Sequence, residues 1–110
     1  MRLAVYGKPE SYTKKDIIIE MEYYIEHGVN IFDFLSYGDF EIMVAQVLRE
    51  IKSTSYPDIY SILYPTDRNI EYNKDLFDMW ASFSSEFDIQ DFIDEVLNES
   101  DYIYPQKLDF

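Results

Sequence analysis

Few side chains in this sequence could do chemistry, and they are widely spaced. His27 is the single histidine, and cysteine is absent. The lack of cysteine excludes disulfides, thiolate metal sites and a cysteine nucleophile, so stability must come from packing. His27 falls in the last turn of a predicted helix, where an imidazolium interacts favourably with the helix dipole. A Ser–His–Asp arrangement would have to recruit it from the amino-terminal side of the next strand, opposite the loops where α/β sheets place their sites. Capping is therefore the expected role. Asp39 and Glu41 could pair as an acid and a base, but Asp39 before a helical pattern is more simply an N-cap. Asp88, Asp91, Asp94, Glu95 and Glu99 lack the loop spacing and central glycine of an EF-hand, so no metal is expected. Trp80 with Phe77 and Phe83 could form an aromatic platform, although their spacing describes equally well a helix face packed on a core. With 3 glycines and no glycine-rich run, neither a dinucleotide fingerprint nor a Walker loop is present. No catalytic residue and no cofactor is assigned, and the chain reads as a non-enzyme.

Charge is the stronger signal. The 110 residues carry 22 acids against 9 bases, a net charge of −13. Residues 75–106 contain Asp75, Asp78, Glu86, Asp88, Asp91, Asp94, Glu95, Glu99 and Asp101 but no lysine or arginine. Such a surface repels phosphate backbones and anionic lipid, which disfavours direct binding to nucleic acid or membrane. Two readings remain open: a solvated, solubilising surface, or one that occupies a basic surface on a protein partner, including one that normally holds nucleic acid. Small acidic inhibitors encoded by phages and mobile elements share this composition. Against the acidic background Lys8 and Arg68 stand out, each in a loop where an anionic ligand could be met.

The elements that position these residues follow from periodicity. At 47% hydrophobic and 18% aromatic residues the chain is too apolar to be disordered, and its length suits one domain over residues 1–110. No apolar stretch approaches the roughly 20 residues that cross a bilayer, and the first residues are too short an apolar run for a signal peptide. The expected location is cytoplasmic. Leu3, Ala4, Val5 and Tyr6 read as a strand ended by Gly7 and Pro9. Thr13 can cap a helix bearing Ile17, Ile18, Met21, Tyr24 and Ile25, closed by Gly28. Residues 29–35 read as a second strand, followed by Ser36, Tyr37, Gly38 and Asp39 as a turn. Phe40, Met43, Val44, Val47, Leu48 and Ile51 then give the cleanest amphipathic helix in the chain. Residues 59–64 make a third strand closed by Pro65. Leu76, Phe77, Trp80 and Phe83 suggest a short helix. Asp88 can cap a last helix with Ile89, Phe92, Ile93, Val96 and Leu97 on one face, and residues 101–104 can add an edge strand. Alternating strands and helices imply right-handed βαβ units. The expected fold is α/β, a small Rossmann-like three-layer sandwich with a mostly parallel sheet of three to four strands and helices on both faces.

Leu3-Ala4-Val5-Tyr6-Gly7, Gly28 before a strand, Ser36-Tyr37-Gly38-Asp39-Phe40-Glu41 opening a helix, and Lys52 with Tyr56-Pro57-Asp58-Ile59 running to Pro65 together resemble SLOG-superfamily domains. The resemblance covers about the first two thirds of the chain. It implies a Rossmann-like fold and a nucleotide or nucleotide-derived ligand at the carboxyl ends of the strands; some members hydrolyse nucleotide monophosphates. Gly7, Lys8, Ser36, Gly38, Asp39 and Arg68 are the matching ligand-binding candidates. The family's phosphate loop carries a Gly-Gly pair and further glycine, where this chain keeps only Gly38 and Asp39, flanked by the bulk of Tyr37 and Phe40. The chain ends near the expected fourth strand, so a family-type pocket would draw on a second copy, a homodimer. Asp75, Asp78, Glu86, Asp88, Asp91, Asp94, Glu95 and Glu99 are the candidates for binding a partner.

Overall fold

A computed structural model describes residues 1–67, 70–81 and 88–105. Among the described residues the order is β1 (Arg2–Val5), α1 (Lys14–Glu26), β2 (Ile31–Phe34), α2 (Asp39–Thr54), β3 (Tyr60–Leu63), a 3-10 turn (Lys74–Leu76), β4 (Met79–Trp80), α3 (Ile89–Glu99) and β5 (Tyr102–Tyr104). All five strands are parallel in the order β4-β3-β2-β1-β5. The architecture is the expected Rossmann-like sandwich with one strand more than expected. Since β5 lies on the far side of β1 from β2, the strand order reverses at β1, the switch point of a doubly wound sheet.

Strand alternation sorts side chains between two faces. Leu3, Val5, Phe32, Phe34 and Leu63 point toward α1 and α2, where they meet Ile17, Met21 and Ile25 of α1 and Phe40, Val44, Val47, Leu48 and Ile51 of α2 in one buried cluster. Ala4 and Leu35 point the other way, against Ile93 of α3, with Ile89, Phe92, Val96 and Leu97 packed around them. The apolar faces expected for α2 and α3 are the ones turned to the sheet, deeply buried on α2 and, Ile93 apart, only half-buried on α3.

Helix ends follow local chemistry. The Thr13 hydroxyl accepts from the Asp16 N–H at 3.1 Å, and the Asp88 carboxylate accepts from the Asp91 N–H at 3.1 Å. Gly28 has φ of 100° just after α1, a conformation that other residues adopt only with strain. The α2 cap corrects the sequence expectation. Gly38 is the N-cap and supplies no side-chain bond, while Asp39 is the first helical residue and exposed.

The short helix expected across Leu76, Phe77 and Trp80 is also corrected. A 3-10 turn ends at Leu76, and the chain then runs parallel to β3, with Met79 opposite Ile62 and Trp80 opposite Leu63. Without β4, β3 would be an open edge with unpaired backbone groups. The Asp78 N–H donates to the Ser61 carbonyl at 3.0 Å, the Asp78 carboxylate accepts from the Ser61 N–H at 2.7 Å, and the Ala81 N–H donates to the Leu63 carbonyl at 3.0 Å. Nonlocal pairing outweighs a three-residue spacing that is only weakly helical. Phe77 is buried edge-on against Phe34, with ring centroids 5.0 Å apart. Trp80 is not in the core. It is 46% exposed, with the Lys74 ammonium 3.6 Å from its ring centroid. Phe83 lies outside the described residues.

Candidate functional site

Because every strand is parallel, all the carboxyl ends open on one edge, and the expected ligand loops do share it. Gly7 follows β1 with φ of 98° and open space where a Cβ would stand. Lys8 beside it is exposed and makes no ion pair among the described residues. Ser36 and Gly38 follow β2, and Asp39 opens α2. Arg68 lies outside the described residues.

The amino terminus of α2, where the sequence reading put the phosphate loop at Gly38 and Asp39, already holds a carboxylate. Glu41, third residue of the helix and only 5% exposed, turns back toward the loop. Its Oε2 accepts from the Ser36 hydroxyl at 3.1 Å, and a Cβ added to Gly38 would stand 3.2 Å from its Oε1. A glutamate at this position commonly folds back to the start of its helix, where the dipole favours negative charge. A phosphate approaching the same helix end would meet a fixed, buried anion. Tyr37 crowds the loop further. Its ring lies 4.8 Å from that of Tyr72, and its hydroxyl accepts from the Asn73 N–H at 3.0 Å. The Thr66 hydroxyl donates to the Leu35 carbonyl at 3.1 Å and joins the ends of β2 and β3.

The acidic candidates separate into two places. Asp91, Asp94, Glu95 and Glu99 lie exposed along α3, at spacings of three and four residues that put them in one stripe, whose Glu95 and Glu99 border the cleft over Arg2 and Asp33. Among the described residues none of the four has an ion-pair partner; Asp94 accepts a hydrogen bond from Gln90 at 3.0 Å. Asp88 caps the helix beneath them. Asp75 and Asp78 lie beside β4, against α2. Asp78 pairs with Lys52 at 2.8 Å, and the Asp75 carbonyl accepts from Arg49. Asp78 therefore has a structural task. Glu86 lies outside the described residues.

Comparison with protein-family models and with curated protein sequences finds no match. Function must therefore be argued from the geometry of the chain alone.

That geometry includes a cluster that the sequence reading missed. Asp33, in the middle of β2, is 0% exposed and faces α3. Its Oδ2 accepts from Arg2 Nε at 2.9 Å, and its Oδ1 accepts from Arg2 Nη2 at 2.8 Å and from the Tyr64 hydroxyl at 3.0 Å. A cleft of about 210 Å³ opens beside it, with Phe92, Glu95 and Val96 of α3 on its wall. The available signal was an aspartate inside Ile31-Phe32-Asp33-Phe34-Leu35, a run otherwise too apolar for a solvated strand. Hydrogen bonding to Asp33 raises the Arg2 pKa and holds the guanidinium charged. Burial, then the Asp33 charge, pushes the Tyr64 phenol up to about 12. A phenol so hard to ionise is a poor proton donor and offers no phenolate at neutral pH, and a carboxylate accepting three bonds is committed to its partners. The cluster ties β1, β2 and β3 together rather than presenting a reactive group.

His27 is where the sequence placed it, at the C-cap of α1. Its Nδ1 lies 2.7 Å from the Tyr23 carbonyl, and its ring packs 4.1 Å from the Tyr23 ring. Among the described residues no group of three or more His, Cys, Asp or Glu side chains is placed to hold a metal ion. No described helix is long and apolar enough to cross a membrane.

Proposed function

We propose that this chain is a small acidic, non-enzymatic interaction protein. Its α3 face binds, and thereby blocks, a basic surface on a protein partner, in the manner of inhibitors encoded by phages and mobile elements. The observation that carries this reading is the exposed stripe of Asp91, Asp94, Glu95 and Glu99 along α3, none of them ion-paired among the described residues. Like charges at three- and four-residue spacing cost a helix a few tenths of a kcal/mol per pair. A stripe kept at that cost, with no ion pair among the described residues even where Arg2 shares a cleft with Glu95 and Glu99, suits an electrostatically complementary surface that speeds encounter and selects its partner. A basic groove that ordinarily holds nucleic acid has the matching charge, while nucleic acid itself would be repelled. Such a protein would act in the cytoplasm.

The test is a comparison of proteins retained from a host lysate by the wild type and by the Asp91→Lys, Asp94→Lys, Glu95→Lys triple variant, followed by association kinetics with any basic protein so identified. Association is expected to slow as salt rises and to fall sharply in the folded triple variant. Identical retention by both proteins, independent of salt, would reduce the α3 stripe to a solubilising surface.

A second reading keeps the SLOG-like ligand at the strand ends. The open positive-φ Gly7 and the unpaired Lys8 at the end of β1 favour it, and the carboxylate of Glu41 at the start of α2 opposes it. Calorimetric titration with nucleotides separates the two readings. Binding lost in Lys8→Ala and untouched by the α3 reversals would favour the ligand site.

A further inference from the structure

On the α1 side of the switch point, between the amino-terminal half of α1 and the edge strand β5, lies a recess of about 320 Å³. Its walls include Tyr12, Tyr24, Tyr104 and Pro105, with the carboxylates of Asp16 and Glu20 on the same wall as α1. The volume falls within the range of small-ligand pockets, about 300 to 1,000 Å³. One end of it, at Pro9, Ser11 and Tyr12, adjoins the carboxyl end of β1, where the strand order reverses and doubly wound sheets take their ligands, and from there it runs along α1 to Tyr24 at the sheet edge.

The lining has a definite chemistry. Tyr24 and Tyr104 meet edge to face at 67° with centroids 6.1 Å apart, and Phe40 backs them at 5.7 Å from Tyr104 and 5.0 Å from Tyr12. Tyr104 is only 5% exposed, and its hydroxyl has no hydrogen-bond partner among the described residues. No fully buried side-chain polar atom in the described residues lacks a partner, so this hydroxyl reaches the open space of the recess. Neither Asp16 nor Glu20 is ion-paired among the described residues, and the neighbouring Lys14 is turned to Glu50 of α2 at 3.2 Å. Burial first, and then the charge of Glu20, raise the pKa of both Tyr24 and Tyr104. The negative potential that opposes a phenolate there attracts a cation.

We propose that this recess is an aromatic cage for an organic ammonium group, quaternary or fully methylated, held against the half-buried rings of Tyr12 and Tyr24, with Tyr104 closing the base and its hydroxyl at the floor, and neutralised by Asp16 and Glu20. Ring quadrupoles attract such a group within about 6 Å, and methylation spreads its charge and sheds its water, so that the cage loses little in desolvating it. Inorganic cations, which hold their hydration shells tightly, gain less from aromatic faces. The site is independent of the α3 stripe, which lies on the other face of the sheet.

The experiment titrates the full chain with choline, and in parallel with 3,3-dimethylbutan-1-ol, which has the same shape without the charge, following tyrosine ring resonances by NMR. Choline should saturate and shift Tyr12, Tyr24 and Tyr104, with the neutral alcohol about tenfold weaker. Glu20→Gln, an exposed helix substitution that leaves packing alone, should weaken choline several-fold. Tyr24→Phe should retain binding because the ring face remains, Tyr24→Leu should lose it, and Asp94→Asn should change nothing. A peptide carrying trimethyllysine distinguishes the source: tighter binding than choline marks a modified protein side chain, and weaker binding marks a free small molecule. Equal affinity for choline and its neutral analogue, equal affinity for trimethyllysine and plain lysine peptides, or no saturable shift in the folded protein would each overturn the cage.

Discussion

On the face that receives α1 and α2, the sheet contributes Leu3, Val5, Phe32, Phe34 and Leu63, and two helices answer with apolar side chains alone. On the other face it contributes Ala4 and Leu35 beside the buried Asp33, and one helix answers, carrying its acids outward. The first face holds the fold by burial and close packing. The second trades apolar area for an ion pair and an exposed charged stripe. The face carrying the main core keeps its carboxylates to the rim, at Glu41, Asp16 and Glu20, whereas the α3 face exposes a charged stripe over a shallower core.

The two faces should differ most at the sheet centre, where Phe34 and Asp33 are neighbours on opposite faces. Phe34→Ala empties a fully buried ring and should destabilise the protein by about 3 to 5 kcal/mol. Asp33→Ala removes the partner of Arg2, but that side chain is 43% exposed and can turn to water, so the loss should be smaller, about 1 to 3 kcal/mol. Urea denaturation of both variants measures the difference. If Asp33→Ala proves the costlier, the α3 face is held by its ion pair and not by the packing of Ile93.

Tyr64 sharpens the picture at lower cost. Tyr64→Phe deletes one hydrogen bond to Asp33 and should cost about 0.5 to 1.5 kcal/mol. The wild-type phenol titrates near 12, against about 10 in an unfolded chain. Its folded form therefore holds the proton more tightly. The corresponding stability is complete below pH 10 and is lost as pH rises from 10 toward 12. Alkaline unfolding curves of wild type and Tyr64→Phe should converge over that window, and parallel curves would show that Tyr64 contributes no pH-dependent stability.

The smallest effect has the opposite sign. Asp94→Asn or Glu95→Gln relieves like-charge repulsion along α3 and should raise stability by a few tenths of a kcal/mol at low salt, with the gain fading as salt is added. Paired melting curves at two ionic strengths resolve it. A loss of stability at low salt would mean that these acids support the fold, and would remove the reason for assigning them to a partner.

Periodicity and end signals made much of this fold readable from the sequence. The apolar stripe of α2, Thr13 and Asp88 as caps, Gly28 after α1 and the alternation of strands with helices are local patterns, and local sterics and hydrogen bonding act before any tertiary contact forms. The charge imbalance of residues 75–106 was equally legible, since it is a count. What the chain could not announce was decided by pairing between distant residues. Met79 and Trp80 became a strand because β3 offered an open edge. Asp33 became a buried partner of Arg2 because β1 and β2 lie side by side with both residues facing α3. Glu41 came to occupy the start of α2 because Gly38 leaves room for its carboxylate and Ser36 donates to it. The tyrosine recess required Tyr24 on α1 and Tyr104 on β5, 80 residues apart in sequence, to meet at the edge of one sheet. Spacing along the chain carries no information about such meetings, because strand order is chosen by the packing of the whole molecule.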